Sequence, residues 1–149
     1  MFHRIYSNPC TNNNPEQYRA FVWDGKLNAL GQYWHSLHWP DLVDLKDDVA
    51  ADCLSFFEKI RASLPVPNAM LDLAWLGPGE VLLIEVNPLA EGLGSFKGST
   101  GLFDFYDDSD VLTGKAPFEV RVRTTDIEKS DLLKSMSPLW RDVIFPYEK

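Results

Sequence analysis

At 149 residues the chain has the length of one domain, and 45% hydrophobic with 13% aromatic residues supports a packed core rather than a disordered segment. A net charge of −8 argues against a nonspecific nucleic-acid binder or a protein held on an anionic membrane, both of which need a basic surface. Cys10 and Cys53 are the sole cysteines and lack C-x-x-C or zinc spacing, so no disulfide framework is expected and a reducing cytoplasm is the default setting.

No apolar run reaches the roughly 20 residues of a membrane span. The N-terminus lacks the apolar core of a signal peptide, and Asn12-Asn13-Asn14-Pro15 reads as a loop. The first predicted element is a hairpin, with β-prone runs on either side of Asp24-Gly25, a type I′ turn signal. Arg19 shares a strand face with Phe21 and Trp23. A guanidinium on so apolar a face needs an anionic partner, and a triphosphate fits its fork. A snorkelling arginine on a solvated edge satisfies the same spacing.

Trp34-His35-Ser36-Leu37-His38-Trp39-Pro40 follows. His35 and His38 are spaced for one helix turn, but Ser36 and Pro40 suit a loop equally well, and there is no third ligand for zinc. A helix is predicted from about Leu42 to Ser63, with Leu42, Leu45, Val49, Cys53, Phe56, Ile60 and Leu64 as its apolar stripe. Pro65 and Pro67 end it, and it is expected to pack across the sheet made by the hairpins.

The second hairpin runs from Ala69 to Pro88 and is hinged on Gly77-Pro78-Gly79. With Pro78-Gly79 in the turn, Gly77 pairs with Glu80, and counting outward sets Asp72 opposite Glu85. Directly opposed like charges cost a few tenths to about 1 kcal/mol, and more if Leu71, Leu73, Leu83 and Ile84 bury them. A positive charge is therefore expected between them. Asn87 shares the face of Glu85, so two carboxylates and an amide oxygen converge from two strands, a hard oxygen set that suits Mg²⁺. The plainer alternative turns one acid to water on a sheet edge and pairs the other with a Lys or Arg elsewhere.

The stretch from Leu89 to Gly101 holds four of the nine glycines. It reads either as a loop that closes over phosphates or an acceptor substrate or as an ordinary surface loop, and it lacks P-loop spacing. Asp107, Asp108 and Asp110 read as a solvated acidic turn rather than a calcium loop. Phe118 to Val122 alternates as a strand, with Arg121 a candidate second cation for phosphate or substrate. The last thirty residues read as a helix and an apolar tail packed on a partner. There is no internal repeat, and no nucleophile elbow supports hydrolase chemistry.

The Asp72 strand followed after thirteen residues by Glu85-Val86-Asn87-Pro88 resembles the magnesium-ligand end of the ATP-grasp superfamily, most of all its cell-division-cycle assembly-protein branch and related bacterial proteins. Gln17-Tyr-Arg19-Ala-Phe21-Val-Trp-Asp24-Gly25-Lys26 is similar to the hairpin whose Arg contacts ATP phosphate, although Gln17 stands where relatives often carry an acid. The resemblance spans roughly residues 16 to 123. It implies an α+β fold: an antiparallel sheet of hairpins with packed helices, like the C-terminal lobe of an ATP-grasp fold. It implies ATP and Mg²⁺ as cofactors, Arg19 as catalytic phosphate ligand, and Asp72, Glu85 and Asn87 as metal and cofactor ligands.

ATP-grasp proteins usually have about twice this length. Residues 1–149 are thus expected to form a single, partial ATP-grasp domain. Its adenine-clamping upstream lobe would be absent or supplied by a separate chain. Three functions fit: part of an ATP-dependent carboxylate–amine ligase, enzymatically active if completed by that lobe; a non-catalytic ATP-binding assembly protein; or a shortened domain that binds no nucleotide. The partners implied are a nucleotide and an unknown acceptor substrate or protein, with no nucleic acid and no membrane.

Overall fold

Both hairpins form around the turns that the glycines set, in a computed structural model that describes residues 16–96 and 98–127. Strands β1 (Glu16–Trp23) and β2 (Lys26–Gln32) are joined by Asp24 and Gly25. Their φ angles of 52° and 68° are both positive, as a type I′ turn requires. Strands β3 (Ala69–Gly77) and β4 (Glu80–Pro88) meet across Pro78-Gly79, with Gly77 paired to Glu80 as expected.

β1 and β3 lie side by side and antiparallel, so the two hairpins fuse into one sheet of order β4-β3-β1-β2-β5. The fifth strand, β5 (Glu119–Arg121), runs parallel to β2. The sheet is therefore mixed rather than wholly antiparallel, because a strand that returns after a long excursion is free to enter in either direction. The α+β class stands.

Helix α1 (Pro40–Ile60) continues as a short 3-10 turn to Ser63. Pro40 opens it where a missing N–H is harmless. The helix lies on one sheet face, burying Val49, Cys53 and Phe57 against Tyr18, Leu71 and Trp75. Phe57 rather than Phe56 enters the core, and Phe56, Leu45 and Ile60 pack at its margin. Burial pushes the Cys53 thiol up to about 12, with Asp52 adding to the shift. Asp52 Oδ2 accepts from Trp75 Nε1 and from Gly79 N, both at 2.8 Å, and so ties the β3–β4 turn to the helix.

The opposite face carries a second, smaller core. Phe21, Ala29 and Met70 of the sheet meet Leu89, Phe103 and Leu112 of the segment after β4. That segment includes a four-residue helix α2 (Ser109–Leu112). Among the described residues no helix is long and apolar enough to cross a membrane. The Asn12–Pro15 loop and most of the expected C-terminal helix and tail lie outside the described residues.

The β3–β4 ladder has two irregularities. Leu76 is an extra residue on β3 and Ile84 an extra residue on β4, so the pairing slips by one at Trp75 and slips back at Asp72. Asp72 still faces Glu85. Leu83 and Ile84 do not bury that pair, because β4 is the sheet's outer strand and leaves both exposed.

At the other end of β1, Glu16 is buried beside Trp75, and its Oε2 has no hydrogen-bond partner among the described residues. Burial pushes its carboxyl from 4.5 up to about 7. The folded chain thus holds this proton more tightly than the unfolded chain. The carboxyl costs nothing well below its unfolded pKa, and an increasing penalty as pH rises through the folded one, on the order of 3 kcal/mol when complete. Denaturant melts across about pH 5 to 8 are expected to show a fall in stability that Glu16→Gln largely removes. Superimposable pH curves for the two proteins would refute it.

Candidate functional site

One row of directly paired residues crosses the whole sheet. Arg121 of β5 pairs with Gly31 of β2, Gly31 with Arg19 of β1, Arg19 with Asp72 of β3, and Asp72 with Glu85 of β4. Directly opposed residues share a face, here the one away from α1. The order along the row decides which charges are spent.

Arg19 is buried, and its guanidinium grips Asp72 with two hydrogen bonds, Nε to Oδ1 at 2.9 Å and Nη2 to Oδ2 at 3.0 Å. Its Nη1 donates to the Ser99 carbonyl. The rings of Tyr33 and Phe96 lie 4.7 and 5.3 Å from the guanidinium carbon, within cation–π range. Burial alone would lower the Arg19 pKa, but the hydrogen bonds and charge of Asp72, with a smaller part from Tyr33, reverse this and raise it. Asp72 therefore receives its positive partner from β1, on the side away from Glu85 rather than between the two acids. The plainer alternative for this acid pair is met in that respect, and water relieves Glu85 on the outer strand.

Arg121 is likewise spent. It binds Asp108 at 2.7 and 2.8 Å and Glu119 at 2.7 and 3.1 Å, donates to the Leu102 carbonyl, and stacks 4.2 Å over Phe103. Those hydrogen bonds raise its pKa and hold that of Asp108 below the ordinary carboxylate value. The acidic turn expected around Asp108 is thus partly an anchor for β5. Gly31 sits between the two arginines because Phe103 occupies its place: a Cβ there would lie 3.3 Å from the ring. Arg121 therefore clamps the segment after β4 onto the sheet.

Glu85 is the exception. It is exposed, and its carboxylate has no hydrogen-bond or ion-pair partner among the described residues. With Asn87 and Arg19 it lines a cavity of about 480 Å³, completed by the loop after β2 and by Phe96, Gly98, Ser99 and Gly101. The glycine-rich stretch thus forms one wall of the cavity. Asp72 lies behind Arg19 rather than in the wall.

Among the described residues no three or more His, Cys, Asp or Glu side chains gather as a metal site. The donors that face the cavity, a carboxylate and an amide oxygen, are nevertheless the hard oxygen type that Mg²⁺ takes alongside phosphate and water. His35 also lines the cavity, whereas His38 turns to Asp126, with Nδ1 and Oδ1 3.2 Å apart, so the two histidines do not share a ligand.

Sequence reading missed Gln32. It is fully buried, its Nε2 donates to the Trp34 and Leu37 carbonyls at 2.9 and 2.7 Å, and its Oε1 accepts from Arg123 N at 2.9 Å. The available signal was a polar residue closing a strand whose last residues before it, Ala29 to Gly31, carry no polar side chain.

The family described as ATP-grasp domain, R-2-K clade family 3, matches residues 7–97. No protein among the curated sequences matches. Two solved structures share the fold. The C-terminally truncated Cdc123 from Schizosaccharomyces pombe aligns with a TM-score of 0.61 and 18% identity, over 74% of this chain and 41% of that one. A second structure of Cdc123 from the same organism gives 0.59 and 18%, over 72% and 40%. The chain thus spans about two fifths of the solved chains it matches.

The two acids of the pair are expected to respond differently to neutralisation. Asp72→Asn leaves the buried Arg19 guanidinium without its counter-charge and should cost about 3 kcal/mol in denaturant unfolding. Glu85→Gln removes an exposed, unpaired charge and should stay within about 0.5 kcal/mol of the parent. Equal losses in the two variants would contradict this division of roles.

Proposed function

This chain belongs to that clade family of ATP-grasp domains, and on that premise we propose that it holds the triphosphate and magnesium of ATP for a carboxylate–amine ligation. The observation that carries this reading is the Glu85 carboxylate, uncompensated among the described residues and set beside Asn87 and the Arg19 guanidinium on one cavity. An unpaired acid beside an arginine is a poor arrangement for an empty surface and a good one for a bound anion with its cation. Glu85 and Asn87, with Asp72 behind them, are the residues to hold Mg²⁺. Bound there, the ion would neutralise phosphate charge as a Lewis acid.

Three of the five Arg19 N–H groups are engaged by Asp72 and Ser99. The remaining donors suit the oxygens of the transferred phosphoryl group, where charge builds up in the transition state. In the ligation, a carboxylate oxygen attacks the γ-phosphorus and the bond to the bridging oxygen breaks, releasing ADP. An amine then attacks the acyl phosphate carbon; phosphate leaves with its bonding electrons, and the amine gives up a proton.

The chain's cavity accounts for the phosphate end of such a site. The adenine-clamping lobe would come from another polypeptide or from chain outside the described residues, and the chain would work in the cytoplasm, where the buried Cys53 stays a thiol. One observation favours a second reading, a shortened domain that keeps the fold without nucleotide: Arg19 and Asp72 satisfy each other directly. The assembly-protein alternative shares the nucleotide site but not the reaction.

Mg-ATP at a hundred times its dissociation constant should stabilise the chain by about 2.7 kcal/mol. Glu85→Gln should lose most of the Mg²⁺-dependent part of that gain while folding normally. No thermal shift at millimolar Mg-ATP would favour the shortened-domain reading. Binding without acceptor-dependent ADP release would favour the assembly protein.

A further inference from the structure

The loop between β2 and α1 forms the far side of the cavity, and the phosphate reading leaves it without a use. Trp34 and Leu37 stand 48% and 47% exposed on it, large apolar side chains beside a guanidinium. Such exposure in a slack loop would mean little. This loop is fastened from beneath: buried Gln32 donates to the carbonyls of both Trp34 and Leu37, and Arg123 Nε donates to the carbonyl between them, that of His35. Arg123 N in turn donates to Gln32 Oε1. The backbone is thus held from the core side, and Trp34, braced edge-on by Tyr33 at 5.3 Å, is presented outward.

A rigid backbone that displays two apolar side chains at a cavity mouth is built for contact with a ligand rather than for packing. Phosphates gain nothing from an indole or an isobutyl group. The Ser36 hydroxyl between them makes no hydrogen bond among the described residues, and Arg19 lies in the same cavity wall. The pairing of an apolar platform with a hydroxyl and a cation fits an anionic head on an aromatic or branched apolar body. We infer that the Trp34–Leu37 rim is the acceptor subsite, and that it takes a carboxylate bearing such a body. This rests on the ligase reading, in which a carboxylate must lie next to the γ-phosphate.

The test separates the two readings by using different probes. N-acetylphenylalanine is titrated into the full chain while the indole N–H resonance of Trp34, assigned through Trp34→Phe, is followed. N-acetylglycine serves as the same head without the body. The inference expects a saturable shift with the first compound and none with the second. It also expects, from calorimetric titration of the variants, about tenfold weaker binding in Trp34→Ala and near-parental binding in Trp34→Phe. Both variants replace a half-exposed side chain, and their melting curves report folding.

The inference is overturned if N-acetylphenylalanine leaves Trp34 unmoved, if N-acetylglycine binds as well, or if Trp34→Ala binds equally. Competition between Mg-ATP and the probe would also overturn it, by giving the rim to the nucleobase. Should the probe bind as expected while Mg-ATP fails to stabilise the chain, the rim stands as a carboxylate site, but the nucleotide reading falls and the acceptor role falls with it.

Discussion

The buried pair of Arg19 and Asp72 constrains how this sheet can be assembled. Both groups leave water on folding, and that desolvation is recovered only in the two-pronged geometry that joins them. The pair is therefore better understood as a register lock than as a source of stability. A slip of β1 against β3 by one residue would set the guanidinium against Leu71 or Leu73, on the face that α1 covers, and leave Asp72 without its counter-charge. The remaining geometry follows from this register, since the row that ends at Glu85 passes through it.

What could be read in advance was what neighbouring residues determine. Asp24-Gly25 and Gly77-Pro78-Gly79 specify their turns through backbone sterics alone, and the face-to-face placement of Asp72 and Glu85 follows by counting from the second turn. The α1 stripe was legible for the same reason, a period that needs no partner to be seen. The partner of Asp72 was not. β1 and β3 are separated by a strand, a helix and their loops, and no local signal says which residue of one meets which of the other. Arg121 was misjudged in the same way: its two carboxylates are brought in by a turn and by its own short strand, and spacing cannot show that a cation is already occupied. The partners of Gln32 were illegible because they are backbone carbonyls and a backbone N–H, which carry no sequence identity.

Charge along the row is apportioned unevenly, and this separates scaffold from surface. Two arginines are consumed by three carboxylates, and the aromatic ring of Phe103 fills the glycine gap between them. That leaves a closed scaffold from β5 to β3 in which each arginine is matched. The outer strand carries the one acid of the row that is not balanced among the described residues. Burial fixes geometry and exposure leaves charge available, and the two requirements fall on different strands.

The paired irregularities in β3 and β4 bear on how this sequence can change in length. Because Leu76 and Ile84 offset one another, the three rungs between them run one place out of step with the rungs beyond. Losing either residue alone, with the remaining irregularity smoothed out of the ladder, would shift the partner of Asp72 by one place and turn Glu85 towards the helix side. Losing both would leave the facing acids, and the cavity wall to which Glu85 belongs, where they are. Across descendants of this fold, single insertions and deletions in the hairpin should thus be purged while compensated pairs pass. The interval between the two acids would then be an inherited length, kept by selection on the ladder as much as by chemistry at its end.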